Sequence, residues 1–204
     1  HCIATAIAAE LLAQRFDYPQ PQEAFTAGLL HDIGKLVLYQ WNNTLYEQTL
    51  EDAQSESMRL LEKEEIVYGI GHTDIAYHLM THWRFPEPLA MAVWLHHQPA
   101  DQLDRRKGMR LPWIVKCANC LCNIQRFGCS GDLFAEDDTH RLSELSGLSS
   151  KEIATTRLSR CFIEPGRARR AGGDHDRATV TPRRARNTDP WRLPVDLGAG
   201  APNS

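Results

Sequence analysis

Apolar residues recur along the first 156 positions at helical rather than alternating spacing. Ile3, Ile7, Leu11 and Leu12, interleaved with Ala4 and Ala8, form one stripe. They predict an amphipathic first helix that ends before Tyr18-Pro19, because the residue ahead of a proline is driven out of the helical region. A second helix is predicted from near Pro21, whose fixed φ suits a first turn, through Phe25, Leu29, Leu30, Ile33 and Leu36 toward Tyr39. Gly34 marks a break or a close approach within it. Asn42, Asn43 and Thr44 offer caps for a third helix through Leu45 and Leu50, and Ser55 or Ser57 for a fourth through Leu60, Leu61 and Ile66. Gly69 and Gly71 then precede a helix starting at His72-Thr73-Asp74 and carrying Ile75, Leu79 and Trp83. Pro86 and Pro88 open the next, through Leu89, Ala92, Val93, His96 and His97, and Pro99 closes it. Leu111 to Phe127 reads as a long apolar helix bounded by Pro112 and Gly128, and Ser149-Ser150-Lys151-Glu152 as a capping box before a last short helix. No alternating strand pattern of useful length occurs, so the expected class is all-α, a single helical bundle.

Composition divides the chain. Of 204 residues, 42% are hydrophobic and 24% charged, which excludes a wholly disordered chain and leaves enough apolar surface for a core without disulfides. Residues 1–156 hold 13 Lys+Arg against 21 Asp+Glu, a balance of −8, whereas residues 157–204 hold ten Arg, no Lys and five acids, a balance of +5. This second part is rich in Arg, Gly and Pro and shows no sustained apolar period, so a disordered tail is expected there. It is either a solvated linker or a non-native appendage. A nucleic-acid arm is the less favoured reading, because only Phe162 and Trp191 stand among the ten arginines, not the regular interleaving of single-strand binders. No apolar run has the length of a membrane span and no signal peptide opens the chain, so a cytoplasmic location is expected. The chain begins at His1 rather than at a methionine, and a start inside a longer protein is expected.

Candidate chemistry lies with the histidines. His31-Asp32 and His96-His97 are adjacent pairs next to core positions, His72 opens a helix, and His1 belongs to the first helix. Imidazole and carboxylate together suit Fe, Mn, Zn or Mg, and a divalent ion offsets the cost of burying the carboxylate. A hydrogen-bonded core histidine is the alternative at each position. His78 and His82 stand four apart on one face, but a site needs three or four ligands, and they read as surface histidines. Cys117, Cys120 and Cys122 resemble the start of a metal motif, yet on one helix Cys120 and Cys122 point about 200° apart, and small buried thiols are the better reading.

The string Ala24-Phe25-Thr26-Ala27-Gly28-Leu29-Leu30-His31-Asp32-Ile33-Gly34-Lys35 resembles the defining motif of the HD superfamily. That resemblance implies an all-helical metal-dependent phosphohydrolase or phosphodiesterase ancestry, with His31 and Asp32 as metal ligands, His1 as a further ligand and Lys35 near a substrate phosphate. The wider pattern is similar to the HDOD branch of bacterial signalling proteins. Gly28 to Gly34 matches its core, Gly69 to His72 running on to Trp83 and Pro86 its next helix, His96-His97-Gln98-Pro99 its turn and Ala118-Asn119 its late helix. The resemblance covers residues 1 to about 156.

Two departures bear on activity. Where the catalytic members carry a late aspartate ligand this chain has Asn119, and a neutral amide is a poorer ligand for a hard divalent cation. The HD-GYP branch, which hydrolyses a cyclic dinucleotide, extends its His-His with an Asp and a Gly-x-Gly-Tyr-Pro turn. Here Asp101 is present, but Gln102-Leu103-Asp104 replaces the glycine-tyrosine part. The candidate metal ligands are His1, His31, Asp32, His72, His96 and His97, enough for one ion or two. The resemblance thus implies a non-catalytic regulatory domain acting on other signalling proteins or domains, with a metal or a nucleotide as further ligand. The alternative is a metal-dependent phosphohydrolase acting on a nucleotide or cyclic dinucleotide, with Lys35 stabilising phosphate charge.

Overall fold

The structure, a computed structural model, describes residues 1–99, 102–103, 108–132 and 147. Among these there are eight helices and no strand: α1 (Cys2–Arg15), α2 (Pro21–Leu30), α3 (Ile33–Trp41), α4 (Asn43–Ser55), α5 (Leu60–Tyr68), α6 (His72–His82), α7 (Glu87–Leu95) and α8 (Arg110–Ile124). The chain divides into two units, His1–Gly166 and Arg167–Ser204, and every described residue lies in the first. The expected boundary near residue 156, the Arg-rich segment, Asp101, Asp104 and the capping box at Ser149 fall outside the described residues. No described helix is long and apolar enough to cross a membrane.

The first helix packs through alanines. Ala4, Ala6, Ala8, Ala9 and Ala13 are buried with Leu12, while Ile3 is 62% exposed. Small side chains let α2 and α8 come close along this face, and the closest approach is at Gly28. A Cβ there would lie 2.9 Å from both the Ala6 Cα and the Thr5 carbonyl oxygen. Of the expected stripe, Ala4, Ala8 and Leu12 are buried while Ile3 and Leu11 are exposed, because close helix packing selects the alanine face.

The predicted second helix is two helices. α2 ends at Leu30, and α3 begins at Ile33 with Asp32 as its N-cap residue. The break falls on the His-Asp doublet, and Gly34 serves the close approach. A Cβ at Gly34 would overlap the carbonyl oxygen of His72, so α3 and α6 cross there with almost no space between their backbones. Asn42 caps α4 as expected, its side chain accepting the Leu45 N–H at 3.1 Å. The fourth predicted helix starts later than expected, with Arg59 rather than Ser55 or Ser57 at its N-cap position, because Ser55 completes α4. Leu60 is buried as expected, but the buried face continues through Lys63 and Glu64, and Ile66 is 67% exposed. Gly69, at φ +72, ends this helix in the left-handed conformation.

The main core lies between α1, α2, α6, α7 and α8. Trp113, Ile114, Val115 and Leu121 of α8 pack with Val93, Met80 and the alanine face of α1. Cys117 and Cys122 are buried, as expected for small apolar fillers, and Cys120 is partly exposed. The guanidinium of Arg110 donates to the Phe16 carbonyl, tying the start of α8 to the end of α1.

A candidate metal centre at the helix ends

The expected ligands converge at helix termini. His31 is the C-cap residue of α2, Asp32 the N-cap residue of α3, His72 the first residue of α6, and His96 and His97 follow the last turn of α7. One ligand atom from each of Asp32, His72, His96 and His97 falls within 4.8 Å of the others, and the same holds for His1, His31 and Asp32. Asp32 belongs to both groups. Its Oδ1 lies 3.5 Å from His72 Nε2 and 3.9 Å from His96 Nε2, and its Oδ2 lies 3.3 Å from His31 Nε2. His78 and His82 are not buried and belong to neither group.

Helix ends also fix the ring tautomers. His31 Nδ1 lies 2.8 Å from the Gly28 carbonyl and His96 Nδ1 lies 2.6 Å from the Val93 carbonyl. A carbonyl oxygen only accepts, so each Nδ1 carries the proton and donates to a carbonyl that the last helical turn leaves unpaired. His72 Nδ1 points at the Glu64 carboxylate at 2.6 Å. In the neutral ring each Nε2 is then a bare lone pair, the form that binds a metal.

Those lone pairs are buried and unpartnered. His31 Nε2, Asp32 Oδ1, His72 Nε2, His96 Nε2 and His97 Nε2 have no hydrogen-bond partner among the described residues. A buried polar atom left in that state costs about 1–3 kcal/mol, and four of the five, on Asp32, His72, His96 and His97, belong to one group of mutually close ligand atoms, which favours an occupant that satisfies those four together. A divalent cation does so with nitrogen and carboxylate donors, and these residues fit one.

Charge favours the same occupant. Burial pushes the Asp32 carboxyl upward, but His31, Lys35 and His72 outweigh it and hold its pKa well below the usual carboxylate range. Burial, reinforced by neighbouring histidines, lowers His96 and His97 well below the ordinary imidazole value. Asp32 is thus ionised and these two rings neutral near pH 7. The same shifts predict a pH dependence of folding. The unfolded chain takes up protons on these histidines below the reference value of 6.5, whereas the folded chain does not. Unfolding then binds protons, and stability rises with pH through that range. The melting temperature in chelator should fall as pH drops from about 7 to about 5.5; a pH-independent melting temperature over that interval would contradict the neutral, buried rings.

Lys35 and position 119 set the limits of the site. The Lys35 ammonium donates to Asp32 Oδ2 and to the Ser130 carbonyl, each at 2.9 Å. It compensates the carboxylate rather than standing free. His1 Nε2 lies 2.8 Å from Asn119 Oδ1, which also accepts from Asn123 Nδ2 at 3.2 Å. Asn119, on α8, thus faces the ligand cluster and is buried, but its oxygen is held by the histidine beside it. The loop after α8 closes on the same place: a Cβ at Gly128, whose φ is +75, would overlap the backbone of His1.

Sequence reasoning missed one residue of the site, Glu64. It is fully buried and accepts from Tyr46 Oη at 2.9 Å, the His72 backbone N–H at 2.8 Å and His72 Nδ1. It was masked by the charged run Glu62-Lys63-Glu64-Glu65, which reads as a solvated face. The available signal was its place four residues after the apolar Leu60, on the same side of the helix.

Comparison with known proteins agrees with this architecture. Residues 1–99 match the HDOD domain. Three solved structures resemble the chain. An HDOD domain protein of unknown function from Geobacter sulfurreducens is 23% identical, with TM-score 0.63, over 80% of this chain and 58% of its own. A protein provisionally named a phosphohydrolase from Shewanella amazonensis is 20% identical, with TM-score 0.59, over 78% of this chain and 57% of its own. The MmoQ response regulator from Methylococcus capsulatus is 25% identical, with TM-score 0.54, over 77% of this chain and 57% of its own. The chain therefore spans less than two thirds of each of these proteins. No curated protein matches it. The helical fold is shared with all three structures, and over residues 1–99 this chain is similar to the HDOD domain family.

Proposed function

We propose that the chain is a regulatory domain of bacterial signal transduction, non-catalytic, built around a divalent metal centre and acting through contacts with other signalling proteins or domains. Asp32, His72, His96 and His97 would hold the ion, with His31 and His1 beside it. When bound, a divalent ion supplies the positive charge that compensates the buried carboxylate and polarises whatever oxygen ligand it holds. The signalling part of the reading is supported by the HDOD match and by the response regulator among the similar structures.

The observation that carries the non-catalytic part is the pair His1–Asn119. A carboxylate at position 119 would add a charged ligand; the amide present is neutral, and its oxygen is already bonded to His1 at 2.8 Å. Lys35, the residue expected to meet a phosphate, has two of its three donors committed within the protein. The rival reading, a phosphohydrolase acting on a nucleotide or phosphodiester, is favoured by the five unpartnered ligand atoms.

The two readings separate in a hydrolysis assay with bis-p-nitrophenyl phosphate and a cyclic dinucleotide in the presence of Mn or Fe. The expected result is turnover no greater than that of the double variant His31→Ala/Asp32→Ala. Turnover in the natural sequence that disappears in that variant would establish an enzyme. Asn119→Asp is expected to tighten metal binding roughly tenfold through the added charge; strong hydrolysis gained with it would identify a degenerate enzyme.

A further inference from the structure

From the buried contacts of α4, α5 and α6 we infer that Glu64 is the positioning residue of the metal centre, and that Tyr46 positions Glu64 in turn. This inference rests on the metal-centre reading. Glu64 Oε2 accepts both the backbone N–H and the ring Nδ1–H of His72, at 2.8 and 2.6 Å. Two bonds from one oxygen to one residue fix both the start of α6 and the orientation of the imidazole it carries. With the proton held on Nδ1, the lone pair is on Nε2, which faces Asp32 Oδ1 at 3.5 Å. The other carboxylate oxygen, Oε1, accepts from the Tyr46 hydroxyl at 2.9 Å.

All three side chains are buried: Tyr46 is 4% exposed, Glu64 0% and His72 1%. Water therefore does not replace a lost partner easily. Burial and the adjacent Glu64 push the Tyr46 phenol far above its ordinary pKa, so it remains a donor at any pH at which the chain is folded. Glu64 also carries negative charge at the N-terminus of α6, where the first N–H groups lack helical partners. His31 and His96 are oriented by main-chain carbonyls that belong to their own helices. His72 depends instead on a carboxylate from another helix, and that carboxylate raises the basicity of its ligand nitrogen.

The test measures the affinity for Zn or Mn of the natural chain, Glu64→Gln and Tyr46→Phe by calorimetry, together with the tautomer of His72 in metal-free protein by nitrogen NMR. Glutamine is near-isosteric, so the fold is expected to persist while the charge-assisted bond is lost. Metal affinity should fall about 10–100-fold, with a smaller fall in Tyr46→Phe, and the His72 ring should leave the pure Nδ1–H form in Glu64→Gln. If Glu64→Gln fails to fold, Tyr46→Phe carries the test through the same two readouts. Natural affinity together with an unchanged His72 tautomer in the folded variants would overturn the positioning role while leaving the metal centre intact. A natural chain that binds no metal, yet shows a Glu64-dependent His72 tautomer, would overturn the metal centre while upholding the role of Glu64.

Discussion

Asp32→Ala is expected to abolish metal binding, with an affinity loss well beyond the about 100-fold that removal of an outer-shell partner brings. Asp32 is the residue shared by the two groups of ligand atoms, and it is the one carboxylate among them. Its loss withdraws the negative charge that makes a dication favourable at that point and leaves only imidazole donors. It also removes the partner of Lys35, whose side chain is 13% exposed and whose remaining bond is to the Ser130 carbonyl. A partly buried ammonium without its carboxylate is destabilising, so the variant should also melt lower than the natural chain in chelator. Asp32→Asn separates the two effects, since it keeps the volume and an acceptor for Lys35 but not the charge. Metal binding by Asp32→Ala at the natural affinity, measured by calorimetry with Zn or Mn, would remove Asp32 from the centre.

Gly34→Ala is expected to damage the fold as well as the site. The added methyl would overlap the carbonyl of His72, a backbone atom that a side-chain rotation cannot move away. Relief requires α3 and α6 to separate, and these are the helices that bring Asp32 and His72 together. Overpacking of this kind costs typically about 1–3 kcal/mol and more where backbone must move. The upper end is expected here, so chemical denaturation should show about 3 kcal/mol lost or no cooperative transition at all. Metal affinity should fall with it in any population that folds. Gly69→Ala is a useful comparison, because a Cβ at Gly69 meets nothing within 4 Å and only its left-handed φ is at stake. If Gly34→Ala were as stable as the natural chain, the close crossing of α3 and α6 would be wrong.

The helical class and most of the His/Asp cluster are legible in the sequence, for different reasons. The spacing of apolar residues fixes helices wherever proline, glycine or an Asx residue also marks the end, as at Asn42 before α4 and Pro86 before α7. The break at His31-Asp32 was not legible, because Leu30, Ile33 and Leu36 continue the helical period across it. It becomes intelligible only once the doublet is seen to use helix ends, His31 reaching back to the Gly28 carbonyl and Asp32 standing at the N-cap of α3. Where two faces of a helix are apolar, the sequence does not distinguish which is buried. In α1 the alanines go inside and Ile3 outside, and in α3 Gly34 and Leu38 are buried while Leu36 is 59% exposed.

The site follows the same division. His31, Asp32, His72, His96 and His97 are chemically conspicuous, and the motif resemblance alone is enough to group them. Lys35 was expected near a phosphate; in the structure it is an ion-pair partner of Asp32 at 2.9 Å. Asn119 stands at a substituted ligand position of the resembling motif, and in the structure its Oδ1 lies 2.8 Å from His1 Nε2. Glu64 was invisible because a glutamate in a charged run reads as solvent-facing. Only the tertiary contact between α5 and α6 reveals that His72 depends on it.

Elemental analysis of the untagged chain, beside the double variant His31→Ala/Asp32→Ala, bears most directly on the metal centre. Stoichiometric Fe, Mn or Zn in the natural chain, absent from a folded double variant, is the expected result. A folded natural chain that contains no metal after purification and takes up none when Fe, Mn or Zn is added would show that the five buried ligand atoms are satisfied some other way, and that the metal centre is wrong.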